Sequence, residues 1–127
     1  MSDSSLTGDL EERLEHATQL KNNGQYEEAM ADYRSILAEA PDCVSARLGL
    51  GLSLCFIGAF DESLEELKRA VTDGPNCVDT HLNLAKTYAM LGMYEEAKVE
   101  FQQVLALSPN HKEALRQLTF FEGFTSA

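Results

Sequence analysis

Cys43, Cys77 and His111 recur at intervals of 34 residues, and thiolates and imidazoles are the side chains that hold zinc. The spacing argues against that chemistry. Equivalent points on neighbouring helical repeats lie about 8–10 Å apart, whereas two thiolates on one zinc ion each lie about 2.3 Å from the metal. The same separation is too wide for an unstrained disulfide. With Cys55 the cysteines number three, an odd count without a CxxC pair, so they read as reduced, mostly packed thiols. His16, His81 and His111 are scattered, and no serine or cysteine has a histidine neighbour with an orienting acid. Glu65 and Glu66 are adjacent in sequence and diverge on a helix. The glycines of LGLGLSL lie inside a helical run, where they permit close packing and form no phosphate loop. The expectation is a chain with no catalytic residues, no metal and no cofactor.

The elements that carry these residues follow from length and pattern. A chain of 127 residues builds one modest folding unit. Its 44% hydrophobic and 24% charged residues are those of a folded protein, although the net charge is −11. With 10 basic residues against 21 acidic ones, nucleic acid and anionic membranes are poor partners. No run approaches the roughly 18 apolar residues of a membrane span. The opening MSDSSLTGDLEERLE has neither a basic head nor an apolar segment, so cytoplasmic residence is the default expectation.

The organisation of the chain is carried by one period. Pro41, Pro75 and Pro109 are 34 residues apart, and the same interval links Gly24, Gly58 and Gly92, then Tyr26, Phe60 and Tyr94, then Leu14, Leu48 and Leu82. Between glycine and proline the apolar residues recur at helical spacing, as in Tyr26, Ala29, Met30, Tyr33, Ile36 and Leu37. A second helical run precedes each glycine, so every unit is a helix pair. The glycines mark left-handed helix ends, and Asp42, Asn76 and Asn110 after the prolines are expected to cap the next helix. Asp9 with Glu12 fits a cap for the first.

LGLGLSLCFIGAFDESLEELKRAVTDGP and LNLAKTYAMLGMYEEAKVEFQQVLALSP resemble tetratricopeptide repeats, and the stretch from Asp9 to Pro41 is similar. The family's small residue at the helix contact is matched by Ala17, Gly51 and Ala85, its next small residue by Ala29 and Ala97, and its aromatic by Tyr33 and Phe101. Ser63 and Leu67 depart from the last two patterns in the middle copy.

The resemblance implies an all-α fold, a right-handed α-solenoid of three helix-turn-helix units plus a seventh capping helix. The expected boundaries are a flexible N-terminus over 1–8, repeats at about 10–43, 44–77 and 78–111, a capping helix over 111–122 and a tail over 123–127. It also implies a protein-interaction module, an adaptor, scaffold or chaperone-like protein whose partner is another protein or peptide.

The first helix of each pair would line a concave groove. Its residues would be Leu14, Thr18, Lys21 and Asn22, then Ser45, Leu48, Leu52, Cys55 and Phe56, then Asp79, Leu82, Asn83, Lys86, Ala89 and Met90. The apolar floor favours an extended apolar peptide or one face of an amphipathic helix, with Lys21 and Lys86 placed to orient an acidic group.

One branch of the family holds the carboxylate-rich tails of heat-shock chaperones with a fixed set of Lys, Asn and Arg. This chain has Leu14, Thr18, Gly49, Asp79 and Asn83 where that set is expected, and an acidic-tail clamp is disfavoured.

The alternative function is a self-associating assembly protein. Phe120, Phe121 and Phe124 are more aromatics than one terminal helix needs; either they fold back on the stack or they form an apolar patch that pairs two molecules as a homodimer.

Overall fold

A computed structural model describes residues 8–125, with side chains described as far as Phe121. Within that range the chain is all α. Its seven helices are α1 (Gly8–Asn22), α2 (Tyr26–Glu39), α3 (Val44–Phe56), α4 (Phe60–Asp73), α5 (Val78–Met90), α6 (Tyr94–Leu107) and α7 (Lys112–Thr125).

The corners fall at the glycines. Gly24, Gly58 and Gly92 have φ of 81°, 86° and 77°, a region that a β-carbon makes costly. In each corner the next residue donates its N–H to a carbonyl of the helix just ended: Gln25 to Leu20, Ala59 to Leu54 and Met93 to Tyr88, all at 2.9 Å. The glycine N–H reaches Lys21, Cys55 or Ala89, which completes a Schellman closure. The paired acids Glu27 and Glu28, Asp61 and Glu62, and Glu95 and Glu96 open the helices that follow, where they complement the dipole.

The helix starts after the prolines differ from the sequence expectation. Asp42 and Asn76 do not cap; Cys43 and Cys77 occupy the N-cap positions in extended conformation, without a side-chain hydrogen bond. The proline turn uses up the expected cap. Cys43 donates its N–H to Ala40 at 3.1 Å and His111 to Ser108 at 3.0 Å, so the chain becomes extended one residue beyond Asp42 or Asn110. At the third corner the cap is His111, whose Nδ1 accepts the Ala114 N–H at 3.2 Å. Helix α1 already begins at Gly8, which places Asp9 in its first turn. Residues 1–7 of the expected N-terminal segment lie outside the described range. Helix α7 continues past Glu122 to Thr125, and of the expected tail residues 126 and 127 lie outside that range.

The chain divides into two compact units, Met1–Gly74 and Pro75–Ala127. In the first, α1 packs on α2, α2 on α3 and α3 on α4, and α1 also touches α3. Ala17, Ala29, Tyr33, Ile36, Ala46, Leu67 and Ala70 are buried there. The two departures of the middle copy fit each other. Leu67 covers Gly51 so closely that a Cβ on that glycine would stand 2.8 Å from Leu67 Cγ, and Ser63 donates its hydroxyl to the Gly51 carbonyl at 2.7 Å. With glycine at the contact, α3 and α4 can approach until the shorter leucine side chain reaches the opposite backbone.

In the second unit α5 packs on α6 and α6 on α7. Ala85, Ala97, Phe101, Val104 and Ala114 are buried, and burying each large apolar side chain contributes about 1.5–3 kcal/mol.

Candidate functional site

The first unit carries part of the expected face on α1 and α3, two helices that touch. Leu14, Thr18, Lys21 and Asn22 recur at i, i+4, i+7 and i+8, which puts them on one side of α1. Leu14, Thr18 and Lys21 are half-buried and Asn22 is exposed. The Thr18 hydroxyl is 2.9 Å from the Tyr33 hydroxyl, so it ties α1 to α2. Burial pushes the Lys21 amine down from its ordinary value, and among the described residues no carboxylate lies within ion-pair distance of it.

On α3, Ser45, Leu48 and Leu52 are half-buried. Phe56 is 61% exposed and stacks on Tyr26, with ring centroids 5.1 Å apart and planes 20° apart. Cys55, expected on the same face, is instead in the core at 9% exposure. Successive helical residues are 100° apart, so Cys55 and Phe56 do not share a direction.

The second unit carries the α5 residues. Asp79, Lys86 and Met90 are exposed, and Leu82, Asn83 and Ala89 are half-buried. Asn83 donates its amide to the Asp79 carbonyl at 2.8 Å, a bond within its own helix. Lys86 Nζ lies 3.5 Å from Glu113 Oε2 on α7, so this amine already has an acid beside it. Of the expected self-association residues, Phe120 is 61% exposed while Phe121 is 3% exposed. Phe121 folds back onto Tyr94 and Phe101, with centroids at 5.5 and 5.9 Å. Its burial removes it from any exposed apolar patch. Phe124 is on α7, and its side chain lies outside the described range.

One column of residues was missed by the sequence reading. Arg13, Arg47 and His81 stand at the same place in the three pairs, and each reaches an acid on the second helix of its own pair. Arg13 Nη1 donates to Glu39 at 2.6 Å, and Glu39 holds the guanidinium pKa above its ordinary value. Arg47 donates to Glu66 at 2.7 Å and to the Pro41 carbonyl at 2.9 Å, with Asp73 at 3.7 Å. His81 Nδ1 is 2.7 Å from Glu100 Oε1, and its Nε2 is 2.7 Å from the Pro75 carbonyl oxygen. The trace that the column leaves in the sequence is one shared separation, 19 residues from Arg47 to Glu66 and from His81 to Glu100.

Among the described residues no three His, Cys, Asp or Glu are arranged to hold a metal ion, and no helix is long and apolar enough to cross a membrane. The geometry defines a class: helix pairs joined by glycine corners, with side chains of the first helices left partly open. Two family profiles, both described as tetratricopeptide repeat, match residues 14–76 and 57–119. The chain belongs to the tetratricopeptide repeat family, whose members are interaction modules. A comparison with curated proteins gives no matching sequence.

Solved structures share the fold. The Yersinia enterocolitica type III secretion translocator chaperone SycD superposes with a TM-score of 0.85 at 17% identity, over 96% of this chain and 98% of that one. The first tetratricopeptide domain of Spaghetti (RPAP3), bound to the HSP90 peptide SRMEEVD, gives 0.84 at 19% identity, over 93% and 94%. The Arabidopsis OM64 domain gives 0.82 at 16% identity, over 91% and 95%. At these identities the likeness is one of fold.

Proposed function

We propose that this chain is a non-catalytic protein-binding module that takes an apolar peptide, or the apolar face of a helix, on the first helices of its pairs. The observation that carries the reading is the first unit's partly open leucine stripe, Leu48 and Leu52 on α3 with Leu14 on the touching helix α1. These side chains keep apolar surface in water, and covering it drives association at about 25 cal/mol per Å² before the costs of ordering the ligand.

The Spaghetti domain is bound to an acidic HSP90 peptide. The present chain differs where such a tail would be held. Gly49 is covered by Tyr33, Asp79 is an exposed acid, and Lys86 is paired with Glu113. An acidic tail is therefore the wrong ligand, and an apolar segment the right one.

The test is selection of displayed random peptides on the full chain. Enriched sequences should be rich in Leu, Ile and Phe, and should lose binding to a Leu48→Glu, Leu52→Glu variant whose circular dichroism stays helical. Peptides that bind this variant as well as the parent would refute the reading. Self-association is the second reading, favoured by the exposure of Phe120. Light scattering after size-exclusion chromatography decides it, since a strict monomer at high concentration removes it.

A further inference from the structure

His81 lies in a site where both of its ring nitrogens meet acceptors. Nδ1 faces Glu100 Oε1 and Nε2 faces the carbonyl oxygen of Pro75, each at 2.7 Å. A peptide carbonyl has no proton to give, and neither has an ionised carboxylate, so each contact is a hydrogen bond only if the ring nitrogen donates. A neutral imidazole carries one N–H, and the imidazolium carries two. The side chains of His81 and Glu100 are 7% and 16% exposed, so water has little room to replace either bond.

The first unit shows what the position requires. Arg47, 34 residues earlier, makes the same two contacts, to Glu66 and to the Pro41 carbonyl, with a side chain that does not lose its charge. Arg47 also has Asp73 at 3.7 Å, whereas the residue 34 positions after Asp73 is Leu107. His81 therefore depends on Glu100 alone.

Further titratable groups along these helices are Tyr88 of α5, seven residues after His81, Cys77 at the start of α5, four residues before it, and Glu96 of α6, four residues before Glu100. Burial pushes the Tyr88 phenol up first, and Glu100 and Glu96 push it further, which places both acids near it. No basic side chain other than His81 pairs with Glu100 among the described residues.

We infer that His81 is a proton-dependent latch between α5 and α6: doubly protonated, it closes the helix pair as Arg47 does in the first unit, and losing a proton opens it. The direction follows from linkage. Closing both contacts requires the imidazolium, so the latch contributes where His81 carries two ring protons, and that contribution is lost as pH rises. One such proton changes the ratio of folded to unfolded chain by at most about tenfold per pH unit.

The latch acts on α5, the helix that carries Leu82, Asn83, Lys86 and Met90. A rise in pH would thus loosen the second unit and leave the arginine-held first unit unchanged.

The experiment uses the full chain. Urea unfolding at about pH 6 and about pH 8 should show the folded-to-unfolded ratio of the parent falling roughly tenfold more than that of His81→Arg. The comparison between the two isolates His81, because His16 and His111 are present in both. Ring ¹⁵N chemical shifts of the parent near neutral pH supply a readout that needs no variant: both His81 nitrogens should appear protonated. A His81→Arg chain with the parent's pH dependence, or a His81 ring with one bare nitrogen in the folded protein at about pH 6, overturns the latch.

Discussion

Gly49 sits in the middle of α3, where alanine ordinarily stabilises a helix by about 1 kcal/mol. Here the packing reverses that sign. A Cβ at this position would lie 2.6 Å from the Tyr33 hydroxyl and closer still to the ring carbons, against a normal contact of about 3.5–4.0 Å. Tyr33 has nowhere to go. It is 1% exposed, and its hydroxyl is tied to Thr18 at 2.9 Å. Forcing a methyl group into such a core costs about 1–3 kcal/mol, and parting Thr18 from Tyr33 adds about 1 kcal/mol. Set against the helix gain, Gly49→Ala should lower stability by about 1–3 kcal/mol. Tyr33→Leu, which removes the ring edge that the methyl meets, should make the two changes cost about 1–2 kcal/mol less together than their sum. Urea unfolding followed by far-ultraviolet circular dichroism measures all four corners of this cycle. A Gly49→Ala midpoint above the parent's, or additivity within about 0.5 kcal/mol, would show that α2 does not approach α3 through this glycine.

Three further outcomes follow from the same packing. Arg47→Met should cost about 2–4 kcal/mol, because it strands Glu66 and the Pro41 carbonyl; Arg47→Lys should recover less than half, since one ammonium cannot reproduce the fork, and unfolding midpoints measure both. Phe121→Ala should cost about 3–5 kcal/mol by emptying the space against Tyr94 and Phe101, whereas exposed Phe120→Ser should change the thermal midpoint by less than about 2 °C. Lys21→Met should stabilise the chain at neutral pH by a few tenths of a kcal/mol, because burial disfavours the charged amine and pushes its pKa down. The sign is checked by titration: in the parent that penalty disappears as pH climbs through the range just below the ordinary lysine value, so the difference between the two chains should vanish in alkaline urea unfolding.

The corners were legible in the sequence because they answer backbone demands. Gly24, Gly58 and Gly92 adopt a conformation that other residues resist, and the small residues Ala17, Gly51 and Ala85 let helices touch. Such demands repeat in every pair, so their spacing exposes them. The direction of individual side chains was less legible. Cys55 and Phe56 both looked like face residues, and only the rotation of α3 sends one inward and the other out. The caps were misplaced for a related reason. The length of the proline turn, which moves the cap from Asp42 to Cys43, is set by the Cys43 to Ala40 bond and not by residue type. The cation column stayed hidden because Arg and His do one job there. A reading by identity separates them, and a reading by distance to an acid unites them.

The acidity of the first unit has a structural origin that sharpens the proposed function. Glu12, Glu15, His16 and Gln19 on α1 are exposed, whereas the residues 34 positions later, Ala46, Gly49, Leu50 and Ser53 on α3, are buried. On α3 this side meets the preceding helix, as the contact of Gly49 with Tyr33 shows; on α1 the same side is polar and meets water. Open apolar surface on α1 and α3 is thereby concentrated on Leu14, Leu48, Leu52, Phe56 and the adjoining Ile57, in a unit whose α1 also exposes Glu12 and Glu15. A ligand for the leucine stripe has to bring apolar side chains without flanking acids, because carboxylates on either side would be repelled over the roughly 8 Å that charge reaches at physiological salt. Adding two aspartates beside the apolar core of a selected peptide should therefore weaken it, and adding two lysines should strengthen it, with both effects shrinking as salt is raised. Equal affinity for the two peptides would mean that the segment binds away from the acidic helices, and the leucine stripe would lose its claim as the site.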